Sequence, residues 1–116
     1  MISESEFIGI ADRTLAAIGR ALDEALATSA VDLDWSLIDG ILEIECEDGS
    51  KLIVNRHVPN REIWVAARSG GFHFRPSDRL WRDTRSGDEL GFALAALLRD
   101  QVRLSLALPP LVAPAE

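Results

Sequence analysis

A chain of 116 residues, 47 % hydrophobic and 27 % charged, has the size and composition of one ordinary globular domain. Its single cysteine, Cys46, excludes an internal disulfide framework and a multi-cysteine zinc site, and it suits a reducing compartment. The net charge of −7 is uneven, with two arginines against twelve acids in residues 1–50 and ten bases against seven acids in residues 51–116, which argues against nucleic acid as the main partner.

The opening stretch MISESEF has neither the basic start and apolar run of a signal peptide nor the character of an organelle presequence. No apolar run approaches the length of a membrane span. A cytoplasmic protein, not attached to a membrane, is the expectation.

Ser3 and Glu6 have the spacing of a capping box. Phe7, Ala11, Leu15, Ile18, Leu22 and Leu26 then recur at intervals of four and three, one apolar stripe on a helix of about 20–25 residues. Gly9 and Gly19 each weaken that helix by about 1 kcal/mol relative to alanine. Thr28-Ser29 ends it.

From Val31 to Ile38, Val31, Leu33, Trp35 and Leu37 alternate with Asp32, Asp34 and Ser36. Asp39-Gly40 is a two-residue hairpin signal. Beyond it Leu42, Ile44 and Cys46 alternate with Glu43, Glu45 and Glu47. This turn sets Ile38 opposite Ile41, Asp34 opposite Glu45 and Asp32 opposite Glu47. The next turn is a three-residue loop, Glu47-Asp48-Gly49 with Gly49 left-handed, because only that length keeps the apolar faces together. Ile44 then faces Leu52, Leu42 faces Val54, and Glu45 faces Lys51.

Further on, His57 to Arg61 reads as a loop, and Ile63, Val65 and Ala67 claim one face of a strand. Ser69-Gly70-Gly71 reads as a turn, Phe72 to Arg75 as a short strand, Pro76-Ser77-Asp78 as a turn, and Leu80 to Asp83 as a last strand. Ser86 and Glu89 have capping-box spacing before a second helix with the stripe Leu90, Ala93, Leu94, Leu97 and Leu98, ending near Arg103. The apolar, proline-rich segment 104–116 reads as a tail laid over the domain. Residues 1–116 thus form a single α+β domain. It is a two-layer sandwich in which an antiparallel sheet of about five or six strands carries the N- and C-terminal helices on one face.

The other face carries Asp32, Asp34, Glu43, Glu45, Lys51, Asn55, Glu62 and Trp64. Like charges opposite one another on adjacent strands are destabilising. The acids suit either weak binding of hard cations or iron, or a solvated face that resists edge-to-edge pairing. Trp64 among charges is either a contact for a partner or half covered by charged stems. His57 and His73 lack a spacing partner and read as structural. Cys46 reads as a small core residue. No nucleophile–base pair, phosphate loop or metalloprotease helix is present.

Asn55-Arg56, Pro59, Ile63-Trp64, Gly70-Gly71-Phe72-His73-Phe74, Trp81 and Ser86-Gly87 resemble the frataxin family. Ser5-Glu6-Phe7 and Ala11-Asp12 resemble its bacterial branch. The resemblance covers roughly residues 3–103 and implies the same helix–sheet–helix sandwich. It implies a non-enzymatic protein that binds iron (Fe²⁺ or Fe³⁺) weakly on an acidic ridge. It also implies docking on the cysteine desulfurase and scaffold protein of iron–sulfur cluster assembly, to regulate it or supply iron. Carried over by position, the metal residues are Asp23, Glu24, Asp32 and Asp34, with Asp12 as a further candidate. The partner-binding set is Asn55 and Trp64, with Arg56 and Glu62 beside them. His57 and Glu62 stand where the family usually has glutamines, and Gly19, Arg20 and Ser36 where bacterial members often have acids, so the ridge is thinner. A monomer is expected, with iron-dependent oligomers as the alternative. Two further readings stay open: a ferroxidase or iron store, and an acidic interaction module that uses no metal.

Overall fold

A computed structural model describes residues 2–115. In chain order it has α1 (Glu4–Ala27), β1 (Leu33–Ile38), β2 (Ile41–Cys46), β3 (Lys51–His57), β4 (Glu62–Ala67), β5 (Gly70–Ser77), β6 (Leu80–Asp83) and α2 (Leu90–Val102). The strands form one antiparallel sheet in the order β1 to β6. The expected sandwich is the observed one.

Helix α1 starts where the cap places it, with Glu6 N donating to Ser3 Oγ at 3.1 Å. Its stripe Phe7, Ala11, Leu15, Ile18 and Leu22 is fully buried against the sheet. Burial of each large side chain contributes about 1.5–3 kcal/mol, which is what holds a helix containing two glycines. Trp81 of β6 closes the core from the far edge. Its indole meets Phe7 edge-on, and its Nε1 donates to Thr14 Oγ1 at 3.1 Å, so a buried polar atom finds a partner.

The first two hairpins follow the expected register. Asp39 (φ 50) and Gly40 (φ 75) make the tight turn, and Ile38 pairs with Ile41 and Asp34 with Glu45. Asp32 and Glu47 lie just past the end of that ladder. After β2, Cys46 N donates to Ser50 O and Gly49 N to Cys46 O, with Gly49 left-handed. The loop is therefore three residues long, and Ile44–Leu52, Leu42–Val54 and Glu45–Lys51 pair as expected.

The later strands are longer than the sequence suggests. His57 belongs to β3 and pairs with Glu62, so the loop shrinks to residues 58–61, closed by left-handed Arg61 whose guanidinium donates to Val58 O. The β4–β5 turn is Arg68-Ser69. Gly70 and Gly71 are strand residues opposite Ala67 and Ala66. Gly70 leaves the turn at φ 144, a conformation that favours glycine, and Gln101 of α2 ties the turn down, its Oε1 accepting from Arg68 N at 3.1 Å. Strand β5 runs on through Pro76 to Ser77, near the strand end where proline is tolerated. Asp78 and Arg79, both left-handed, make its turn.

The second capping box does not form. Ser86 Oγ accepts from Asp88 N, while Glu89 is itself the N-cap of α2 and accepts from Gly91 N and Phe92 N. The same carboxylate accepts from Leu111 N at 2.9 Å. One side chain thus caps the helix and holds the tail. Leu104, Leu111 and Ala113 are buried, Val112 bridges to Leu80, and Ala113 N donates to Arg79 O. The tail closes the core beside β6 and α1.

Candidate functional site

With both helices on one face, no element of the described residues covers the other face of the sheet. Across it, Asn55, Trp64 and His73 are direct neighbours on β3, β4 and β5. The indole of Trp64 lies between two imidazoles. Its centroid is 3.6 Å from that of His57 and 4.3 Å from that of His73, with planes within 8° and 10° of parallel. Its Nε1 donates to Glu62 Oε1 at 2.8 Å. Arg75 Nε and Nη2 donate to Glu62 Oε2 at 3.1 and 3.0 Å. Glu62 is on the expected face but only 3 % exposed, covered by the groups it binds.

Burial pushes the Glu62 carboxyl up. The hydrogen bonds from Trp64 and Arg75, and the charges of Arg75 and His73, more than offset this, so it titrates below the ordinary glutamate value. A lowered folded-state value means stability that is present above the unfolded value of about 4.3 and lost as pH falls through the folded one. Glu62→Gln is expected to cost about 1–3 kcal/mol at pH 7 and to cost little once wild-type Glu62 is protonated. Urea unfolding of both proteins at pH 7 and at pH 2.5 reads this; a gap that persists unchanged in acid would contradict it.

Arg56 does not share this face. It pairs with buried Ile63 on the helix side of the sheet, its stem runs under Gly40, and its guanidinium pairs with Asp12 of α1. The contact expected of Arg56 is therefore a link between helix and hairpin, because its place in the strand alternation is opposite to that of Asn55. Asp12 is correspondingly engaged. It also lies about 16 Å along the helix axis from Asp23, at 1.5 Å per residue, so the two cannot share an ion.

The remaining acids sit at the β1 edge. Asp32, Asp34, Glu45 and Glu47 line a shallow groove of about 200 Å³ with Leu33 and Cys46. Asp23 accepts from Trp35 Nε1 at 2.8 Å, and Glu24 is exposed beside it on α1. Among the described residues, no three histidine, cysteine, aspartate or glutamate side chains come together as a closed metal site. An exposed all-oxygen donor set suits a hard cation held weakly as cargo. Glu45 and Glu47 belong to this groove as much as Asp32 and Asp34; their positions opposite the two aspartates were the signal for it. The like-charge pairing predicts that Asp32→Asn with Asp34→Asn raises stability by a few tenths of a kcal/mol per pair, measured as a higher urea midpoint. A loss would argue that the carboxylates make favourable local bonds.

His57 and His73 are structural, as expected of single histidines, but their stacking on Trp64 was not foreseen. Reading 58–61 as the loop would have carried the β3–β4 register one pair further and set His57 beside Trp64.

The chain matches the model of the frataxin-like domain over residues 1–104. It belongs to the frataxin family, in its bacterial CyaY branch. It is 46 % identical over 107 residues to the iron–sulfur cluster assembly protein CyaY of Cupriavidus pinatubonensis, covering 92 % of this chain and 96 % of that one. With the protein of the same name from Dechloromonas aromatica it shares 47 % over 108 residues, covering 92 % and 99 %. The frataxin of Psychromonas ingrahamii superposes with a TM-score of 0.81 at 31 % identity, covering 90 % of this chain and 96 % of that one. Trimeric frataxin of Saccharomyces cerevisiae, solved complexed with ferrous iron, superposes at 0.70 with 23 % identity over 88 % of each chain and shares the fold.

Proposed function

We propose that this protein is a non-enzymatic, iron-binding component of iron–sulfur cluster assembly that docks on the cysteine desulfurase–scaffold complex, regulating it or supplying it with iron. The observation that carries the docking reading is the uncovered sheet face with Asn55 and Trp64 at its centre. Large aromatic side chains anchor interfaces out of proportion to their number. The iron reading rests on the exposed carboxylates of Asp23, Glu24, Asp32 and Asp34 and the groove they share in part with Glu45 and Glu47. Iron is cargo here: the carboxylate oxygens bind it, release it readily because few of them converge, and present negative charge to a basic partner surface. The protein works in the cytoplasm as a monomer. A ferroxidase, the rival reading, would need a converging set of carboxylates and histidines.

Anaerobic Fe²⁺ titration of the wild type and of a variant carrying Asp23→Asn, Glu24→Gln, Asp32→Asn and Asp34→Asn separates these readings, with desulfurase-driven cluster formation assayed in parallel. The variant is expected to lose most iron binding. Unchanged binding would remove the metal assignment, and oxygen consumption stoichiometric with iron in air would favour a ferroxidase. Trp64→Ala is expected to weaken docking by about 30-fold, the scale of an anchor residue, in a calorimetric titration with the desulfurase–scaffold complex.

A further inference from the structure

Trp64 has no free recognition group. His57 covers one face of the indole and His73 the other, and its only N–H is given to Glu62. The usual ways for a tryptophan to hold a partner, stacking on a face or donating its N–H, are both taken up within the protein. What remains for a partner is the hydrocarbon edge of the indole, flanked by the imidazole edges and by Asn55 on the neighbouring strand. The Nδ1 of His57 is buried and, among the described residues, has no hydrogen-bond partner, so no hydrogen bond at that atom orients the ring. The ring is held by its stacking on Trp64.

We infer that His57 and His73 are positioning residues for docking. They fix Trp64 between them before any partner arrives, so that docking does not have to order the indole. This rests on the docking reading above and adds to it that the contact unit is a three-ring stack met edge-on. Ordering one rotamer-rich side chain on association weakens affinity by about two- to tenfold, which is the loss expected when either imidazole is removed. Flat rings stack without hydrogen bonds, so a phenylalanine at position 57 can substitute.

The test uses the full chain and reads the free protein and the complex separately. Acrylamide quenching of tryptophan fluorescence is compared among wild type, His57→Ala, His73→Ala and His57→Phe; Trp35 and Trp81 are common to all four. Both alanine variants are expected to quench more and to dock on the desulfurase–scaffold complex two- to tenfold more weakly, with His57→Phe restoring both. Unchanged quenching in the alanine variants would overturn the clamp itself. Raised quenching with unchanged docking, in a protein whose docking Trp64→Ala does weaken, would overturn the positioning role and leave the docking face standing. Weakened docking in His57→Ala that His57→Phe fails to rescue would assign the effect to imidazole chemistry instead of ring stacking. If Trp64→Ala leaves docking intact, the docking reading fails at this residue and the positioning role falls with it.

Discussion

Leu111→Ala is expected to lower the unfolding free energy by about 2–4 kcal/mol, the range of a leucine removed from a packed core, although residue 111 lies beyond the last helix. Leu111 is 5 % exposed, and its backbone N–H is bound by the carboxylate that caps α2. Its neighbours are fixed as well: Val112 bridges to Leu80 and Ala113 donates to Arg79 O. The segment thus behaves as a part of the sheet edge and of the core. Glu89→Ala should cost about 1–2 kcal/mol as a lost cap and about 1 kcal/mol more as a lost tail bond. Because the two sites touch, the double variant should cost less than the two single losses together. Urea unfolding of the four proteins measures both terms. A cost below about 0.5 kcal/mol for Leu111→Ala, the level of an ordinary surface change, would mean that the tail merely lies on the domain.

The first half of the fold was legible because the sheet is covered on one side only. Alternation in residues 31–57 is then regular enough to fix the register, broken by Ile38, Ile41 and Ile53 on the open face and by Arg56 on the helix side, and a one-residue slip would turn every side chain to the wrong face. That rule alone selected a three-residue loop at Glu47–Gly49. The second half was less legible because its turn signals are displaced. Gly70-Gly71 is the strongest local cue for a turn, yet the turn is Arg68-Ser69, held by a glutamine 33 residues later. Asp78 and Arg79 adopt left-handed conformations without a glycine. Ser86 and Glu89 have the spacing of a capping box but not its geometry, since Glu89 is needed as the cap and as the anchor of the tail. Tertiary contacts decided each of these, and no local pattern records them.

The candidate site divides in the same way. Alternation placed Asn55, Glu62 and Trp64 on the open face, where they are. It could not give depth. Glu62, a charged residue on a solvent face, is nearly inaccessible because Trp64 and Arg75 close over it. Arg56 travels with Asn55 in the sequence yet faces the other way, toward Asp12. The acids were legible as a set along β1 and β2, but spacing alone did not separate Asp12, occupied at one end of α1, from Asp23 and Glu24 near the other.

Gly19 is the position where helix propensity and packing make opposite predictions. On propensity, Gly19→Ala in the interior of α1 should stabilise the protein by about 1 kcal/mol. In the structure Gly19 is buried beneath the indole of Trp35, and a Cβ there would stand 2.6 Å from Trp35 Cη2 and 2.9 Å from Cζ3. Carbon atoms in contact need about 3.5–4.0 Å. The indole cannot readily withdraw, because its Nε1 is bound to Asp23, one turn further along the same helix. Overpacking of this kind costs about 1–3 kcal/mol, which exceeds the propensity gain over most of its range. Gly19→Ala is therefore expected to destabilise by about 1 kcal/mol, and Gly19→Leu by more. Asp23→Ala should release the indole and reduce the Gly19→Ala penalty, a coupling that a double-mutant cycle by urea unfolding reads directly. A stabilising Gly19→Ala would show that the indole shifts freely, and with it that the bond from Trp35 to Asp23 does not fix the acidic end of α1 against β1.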